Sequence, residues 1–121
     1  MSAAILMVDD EPHVRIIAGQ FFEMAGQKLL AAADATEALQ ISKDVPLRAI
    51  ILDATLGGEG SAPVLAALKQ HHPKTPVIIY TGRDGEDEVV QSLLKKGADS
   101  YVMKDGSIQA LIQAVANLPA S

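Results

Sequence analysis

The sequence predicts an α/β fold: a parallel sheet with helices on both faces. Three observations carry that prediction. Short apolar runs alternate with stretches of helical periodicity, giving five strand–helix units in succession. The connections between them are short, and such an alternation builds a parallel sheet joined by right-handed crossovers. The strongest run, residues 49–53 (Ala-Ile-Ile-Leu-Asp), is continuously apolar up to its terminal acid, as a strand covered on both faces must be.

The elements follow in order. Ile5 to Val8 form the first strand, which acids end at once. Val14, Ile17, Ala18 and Phe21 recur at helical spacing and mark the buried face of the first helix, which Gly26 stops. Leu29 to Ala32 are a weak second strand. Asp34-Ala35-Thr36-Glu37 has capping-box spacing, so a short helix starts there and runs to about Lys43, before Pro46. The third strand, residues 49–53, leads into the loop Thr55-Leu56-Gly57-Gly58-Glu59-Gly60. Val64, Leu65 and Leu68 mark a third helix that ends before Pro73. Val77 to Thr81 are the fourth strand, and a loop with Gly82 and Gly85 leads to a helix with Val90, Leu93, Leu94 and Gly97 on one face. Ser100 to Met103 are a short fifth strand; Ile108, Leu111, Ile112 and Val115 mark the last helix.

A chain of 121 residues is about one domain, so residues 1–121 are expected to form a single unit with its own core. Apolar residues are 49% and charged residues 21%, a globular balance. Lys plus Arg is 10 against 15 Asp plus Glu, a net charge of −5, which speaks against gripping a nucleic-acid backbone. Aromatics are 3% with no Trp, so stacking platforms for single strands are scarce as well. The absence of Cys excludes disulfides, thiolate zinc sites and thiol catalysis. The apolar start lacks a basic leader and meets Asp9-Asp10-Glu11 immediately, and no apolar run is long enough for a membrane span. These features lead to the expectation of a soluble, cytoplasmic chain with no membrane contact.

The last residues of the strands are the informative ones. In a parallel sheet, Asp9, Asp10 and Glu11 after the first strand, Asp53 at the third, Thr81 at the fourth and Lys104 after the fifth all meet at one rim. Clustered carboxylates repel one another, and a hard divalent cation such as Mg²⁺ relieves that repulsion. A metal and a lysine together can neutralise a transferring phosphoryl group while one carboxylate acts as nucleophile and forms an acyl phosphate. Taken singly, Asp10 also reads as a cap of the first helix and Lys104 as a solvated lysine. His13, His71 and His72 are not expected to bind metal, because His13 falls on the first helix and adjacent helical residues face apart.

As a set, Asp9-Asp10, Asp53, Thr81, Tyr101 and Lys104 resemble the receiver domain of two-component response regulators, over nearly the whole chain. The resemblance implies a flavodoxin-like receiver fold, a five-stranded parallel sheet in the order 2-1-3-4-5. It implies that Asp53 accepts a phosphoryl group from a phosphohistidine on a sensor histidine kinase or histidine phosphotransferase. Asp10, Asp53 and the backbone carbonyl of Thr55 would hold Mg²⁺, with Asp9 acting through a water. Lys104 would pair with Asp53 and then with the phosphoryl group. Thr81 and Tyr101 would be the switch, reshaping the face of the fourth helix, fifth strand and fifth helix for an output protein or domain, or for a phosphorylation-dependent homodimer. The chain would not be an enzyme beyond its own phosphorylation and dephosphorylation. It would be either a complete regulator or the receiver of a longer transcription factor or hybrid kinase.

Three departures from the family pattern stand out. Gly57 occupies a position where Pro is frequent, and the loop is one residue shorter before Gly60, so Gly57 to Gly60 are expected to be unusually mobile. Lys104 is followed by Asp105 rather than Pro, which makes a cis bond improbable. Gly82 stands where Ala commonly follows the switch hydroxyl. Thr55 and Arg83 flank the approach of hydrolytic water in the family, which makes Arg83 a candidate for tuning phosphoryl lifetime. Two rivals fit less well. A haloacid dehalogenase-type phosphatase needs a second Asp where this chain has Thr55, and a flavin carrier would have its phosphate repelled by Asp9-Asp10-Glu11.

Overall fold

Five apolar segments become five parallel strands, each followed by a helix that returns across the sheet. In chain order the elements are β1 (Ala4–Val8), α1 (Pro12–Met24), β2 (Leu29–Ala32), α2 (Ala35–Ser42), β3 (Leu47–Asp53), α3 (Ser61–His71), β4 (Val77–Thr81), α4 (Glu88–Lys95), β5 (Ser100–Met103) and α5 (Ile108–Ala116). The computed structural model describes residues 3–56, 60–82, 86–104 and 108–118. The expectations for Gly57, Gly58, Glu59, Arg83, Gly85 and Asp105 therefore lie outside the described residues.

The sheet order is β2-β1-β3-β4-β5, with every neighbouring pair parallel. The central strands β1 and β4 are buried along their whole length, which is why their sequences are unbroken apolar runs. The edge strands β2 and β5 are partly exposed: β2 ends in small alanines and β5 carries Ser100 and Tyr101. Alternate side chains feed two cores. Leu6, Val8, Ile50, Leu52 and Ile79 pack with Leu65, Leu68 and Leu93 on the side of α2, α3 and α4. Ile5, Met7, Ile51 and Ile78 pack with Phe22, Leu111 and Val115 on the side of α1 and α5.

Four details correct the sequence-based expectations. The buried face of α1 is Ala18 and Phe22, with Val14 against it; Phe21 is only half-buried and Ile17 is 43% exposed. Both registers satisfy helical spacing, and only the position of the sheet decides between them. β3 begins at Leu47, two residues before the continuous apolar run. Its pairing with β1 slips between Ala4–Leu47 and Ile5–Ala49, leaving Arg48 as a bulge whose guanidinium donates to the carbonyl of Val115 at 3.2 Å. Asp10 does not cap α1: the N-cap is Glu11, without a side-chain cap bond. Gly97 is not on the face of α4 but beyond its end, at φ +123.

Gly97 and Gly26 do the same job. In each case the glycine takes a positive φ while the next residue donates back to the helix, Gln27 to Phe22 at 2.9 Å and Ala98 to Leu93 at 3.1 Å. This Schellman closure satisfies end carbonyls and turns the chain into the following strand. At the start of α2 the expected box is present: Asp34 accepts from the Glu37 amide at 2.9 Å, and the Glu37 carboxylate accepts from the Ala33 amide at 2.9 Å. No helix among the described residues is long and apolar enough to cross a membrane.

Candidate functional site

Strand register assembles the site. Val8 pairs with Leu52, so Asp9 leaves β1 beside Asp53 at the end of β3. Asp53 pairs with Tyr80, so Thr81 follows one step along β4. Thr81 pairs with Met103, so Lys104 leaves β5 next to it. The four strand ends meet where β1 lies between β2 and β3, the point at which chain order reverses and ligands of open parallel sheets bind.

Asp9, Asp53 and Thr81 are 1%, 3% and 1% exposed, whereas Asp10 is at the surface. The three aspartates each offer a carboxylate oxygen, and these atoms lie within 4.8 Å of one another. Asp9 Oδ1 accepts from the Glu11 amide at 2.9 Å, and Arg15 clamps the Asp9 carbonyl at 2.7 Å. Asp9 Oδ2 is buried without an aligned hydrogen bond, its nearest cation being the Lys104 ammonium at 2.9 Å. Three carboxylate oxygens this close, two of them on buried residues, fit a divalent cation with oxygen ligands.

Lys104 is shared. It stands 3.5 Å from Asp53 Oδ2, the pair that the resemblance implies, and closer still, at 2.9 Å, to Asp9 Oδ2. The ammonium also lies 5.5 Å from the centre of the Tyr80 ring. Asp53 Oδ1 accepts from the Thr55 amide at 3.0 Å and from its hydroxyl at 3.3 Å, forming an Asx turn. The Ser61 hydroxyl closes the loop, donating to the Asp53 carbonyl and accepting from the Leu56 amide at 3.2 Å.

The electrostatics follow from burial. Desolvation raises the pKa of Asp53, reinforced by the charge of Asp9 and opposed by the Thr55 amide and Lys104. Burial alone would lower that of Lys104, but its 2.9 Å contact with the Asp9 carboxylate and the charges of Asp53 and Asp9 outweigh it and hold the ammonium above the ordinary lysine range. Tyr80 is raised by burial. Tyr101, on β5 beside Ile79, is 40% exposed and so stands outward.

The sequence-predicted residues Asp9, Asp10, Asp53, Thr55, Thr81 and Lys104 are thus gathered at one rim. The histidines are elsewhere: His13 pairs with Glu11 at 3.4 Å, His71 bonds the Ala67 carbonyl at 3.0 Å, and His72 meets Ser42 at 3.2 Å. Arg15, Tyr80 and Ser61 were not anticipated. Only Ser61, a polar residue opening an apolar helix straight after Gly60, left a trace in the sequence.

Residues 5–116 match the response regulator receiver domain family. The chain belongs to that family. An NtrX-like response regulator of Rickettsia bellii (strain RML369-C) is 35% identical over 102 residues, which are 83% of this chain and 21% of that protein. The transcriptional regulatory protein CpxR of Escherichia coli (strain K12) is 33% identical over 114 residues, 92% of this chain and 48% of that protein. The solved receiver domain of NtrX from Brucella abortus superposes with a TM-score of 0.83 at 29% identity, covering 93% of this chain and 94% of that one. The receiver therefore spans about a fifth of the first of these curated relatives and about half of the second.

Proposed function

We propose that this receiver accepts a phosphoryl group on Asp53 from a phosphohistidine and thereby switches a protein-binding face. The observation that carries the proposal is the convergence of Asp9, Asp10 and Asp53 within 4.8 Å, with the Lys104 ammonium in contact with two of them. The donor would be a sensor histidine kinase or a histidine phosphotransferase.

Asp10, Asp53 and the Thr55 carbonyl would hold Mg²⁺, with Asp9 acting through a water; the ion supplies positive charge to the phosphoryl oxygens. The remaining work belongs to the chain. Thr55 fixes Asp53 Oδ1 through two hydrogen bonds, which leaves Oδ2, on the Lys104 side, to attack. The new bond joins Oδ2 to phosphorus, the P–N bond of the donor breaks, and its electron pair returns to the imidazole, which is then protonated. Lys104, 3.5 Å from Oδ2, neutralises charge on the transferred oxygens. Positioning of this kind, rather than acid–base chemistry, carries phosphoryl transfer.

Once the phosphoryl group is in place, the Thr81 hydroxyl donates to it and Tyr101 turns from its exposed position toward the space vacated. That reshapes the α4-β5-α5 face for an output domain, a separate output protein or a second copy of the receiver. Hydrolysis of the acyl phosphate resets the domain, so the only reaction it promotes is its own phosphorylation cycle. These roles place it in the cytoplasm with its kinase. The test is beryllofluoride, a phosphoryl mimic, added with Mg²⁺ to isotope-labelled protein. Chemical-shift changes are expected at Thr81, Lys104 and Tyr101 and are expected to vanish in Asp53→Ala; changes that persist in Asp53→Ala would contradict the proposal.

A further inference from the structure

We propose that Ser61 is a positioning residue that aims the Thr55 carbonyl at the metal-binding end of the site. The inference rests on the reading of Asp53 and Thr55 given under Proposed function. Ser61 opens α3 and is buried. A hydroxyl has one proton and two lone pairs, and here it uses both kinds of capacity, donating to the Asp53 carbonyl and accepting from the Leu56 amide. One side chain thereby brackets Ala54 and Thr55. The Leu56 N–H and the Thr55 C=O belong to the same planar, trans peptide and point in opposite directions. Holding the N–H on Ser61 therefore fixes the direction of the Thr55 carbonyl. The Thr55 amide, bonded to Asp53 Oδ1 at 3.0 Å, fixes the preceding peptide in the same way.

The sequence gives the reason a side chain is needed for this. Gly60, the N-cap of α3, has no side chain with which to bond the loop. The constraint instead comes from the first residue of α3 reaching back. Leu56 is itself buried, at 8% exposure, so its amide calls for a protein acceptor, and Ser61 is the one it has.

The test is calorimetric titration of the unphosphorylated protein with MgCl₂, with folding of each variant checked by circular dichroism. Ser61→Ala is expected to raise the Mg²⁺ Kd about tenfold or more, as loss of a group that orients a metal ligand does. Its deficit in phosphoryl gain from acetyl phosphate is expected to close as Mg²⁺ is raised, a pattern that general destabilisation does not produce. Ser61→Thr keeps the hydroxyl, at a position that borders a cavity of about 440 Å³ with Thr55, Leu56 and Leu93. It is expected to bind Mg²⁺ as the wild type does, and Ser61→Val, of the same shape without the hydroxyl, to bind as weakly as Ser61→Ala. Wild-type affinity in either Ser61→Ala or Ser61→Val would overturn the proposal. Failure of the underlying functional reading has a different signature: the wild type and Asp53→Asn would then bind Mg²⁺ equally poorly, and the role of Ser61 would fall with it.

Discussion

At the residue scale, the site holds Asp53, the proposed phosphoryl acceptor, as an unfavourable charge. Burial raises the pKa of Asp53, so the folded state holds that proton more tightly than the unfolded state does. The group then favours folding at low pH, and that contribution is lost as pH rises through the folded-state pKa. At neutral pH the ionised Asp53 is a net cost. Asp53→Asn is accordingly expected to be more stable than the wild type at pH 7, with the gain shrinking as pH falls toward 3.8; urea midpoints at several pH values measure this. One substitution separates the role proposed for Lys104 in phosphoryl transfer from its electrostatic effect on metal binding. Lys104→Met removes a cation from beside three carboxylates, so Mg²⁺ affinity is expected to rise about tenfold while phosphoryl gain falls. A fall in both would mean that Lys104 also holds the metal-binding geometry. The aspartates, Thr81 and Lys104 were legible because each ends an apolar run. Tyr80 is not, because a tyrosine inside a strand gains meaning only from what it touches, and the trace that Ser61 leaves does not say which groups its hydroxyl bonds.

At the element scale, periodicity located every strand and helix, while register depended on tertiary packing. Phe21 and Phe22 are equally apolar, and the sequence-based choice of Phe21 fails because the sheet lies on the Ala18–Phe22 side of α1. Phe22→Ala is expected to cost about 3–5 kcal/mol, the range for emptying a large buried aromatic site, and Phe21→Ala clearly less. Chemical denaturation of the two variants decides the register; a larger loss for Phe21→Ala would contradict it. The early start of β3 was hidden for a related reason. Arg48 interrupts the apolar run, and only the bulge, with its reach to the Val115 carbonyl, makes an arginine acceptable there. Gly97 reads as part of a helix face because it continues the spacing of Val90 and Leu94, whereas its positive φ marks it as the stop.

At the scale of the whole molecule, the alternation of apolar runs and amphipathic stretches leaves few arrangements, and the sheet order β2-β1-β3-β4-β5 is the one the receiver resemblance implies. That order turns residues far apart in sequence into neighbours: Asp9, Asp53, Thr81 and Lys104 each follow or end a different strand, and parallel register brings them to one rim. The central claim is that this rim makes Asp53 a phosphoryl acceptor. Its most direct test is intact mass after incubation with acetyl phosphate and Mg²⁺, alongside Asp53→Asn and a chelator. The account predicts a gain of one phosphoryl group in the wild type, and none in Asp53→Asn or after chelation. A phosphoryl group gained equally by Asp53→Asn, or no gain together with no beryllofluoride response, would contradict it.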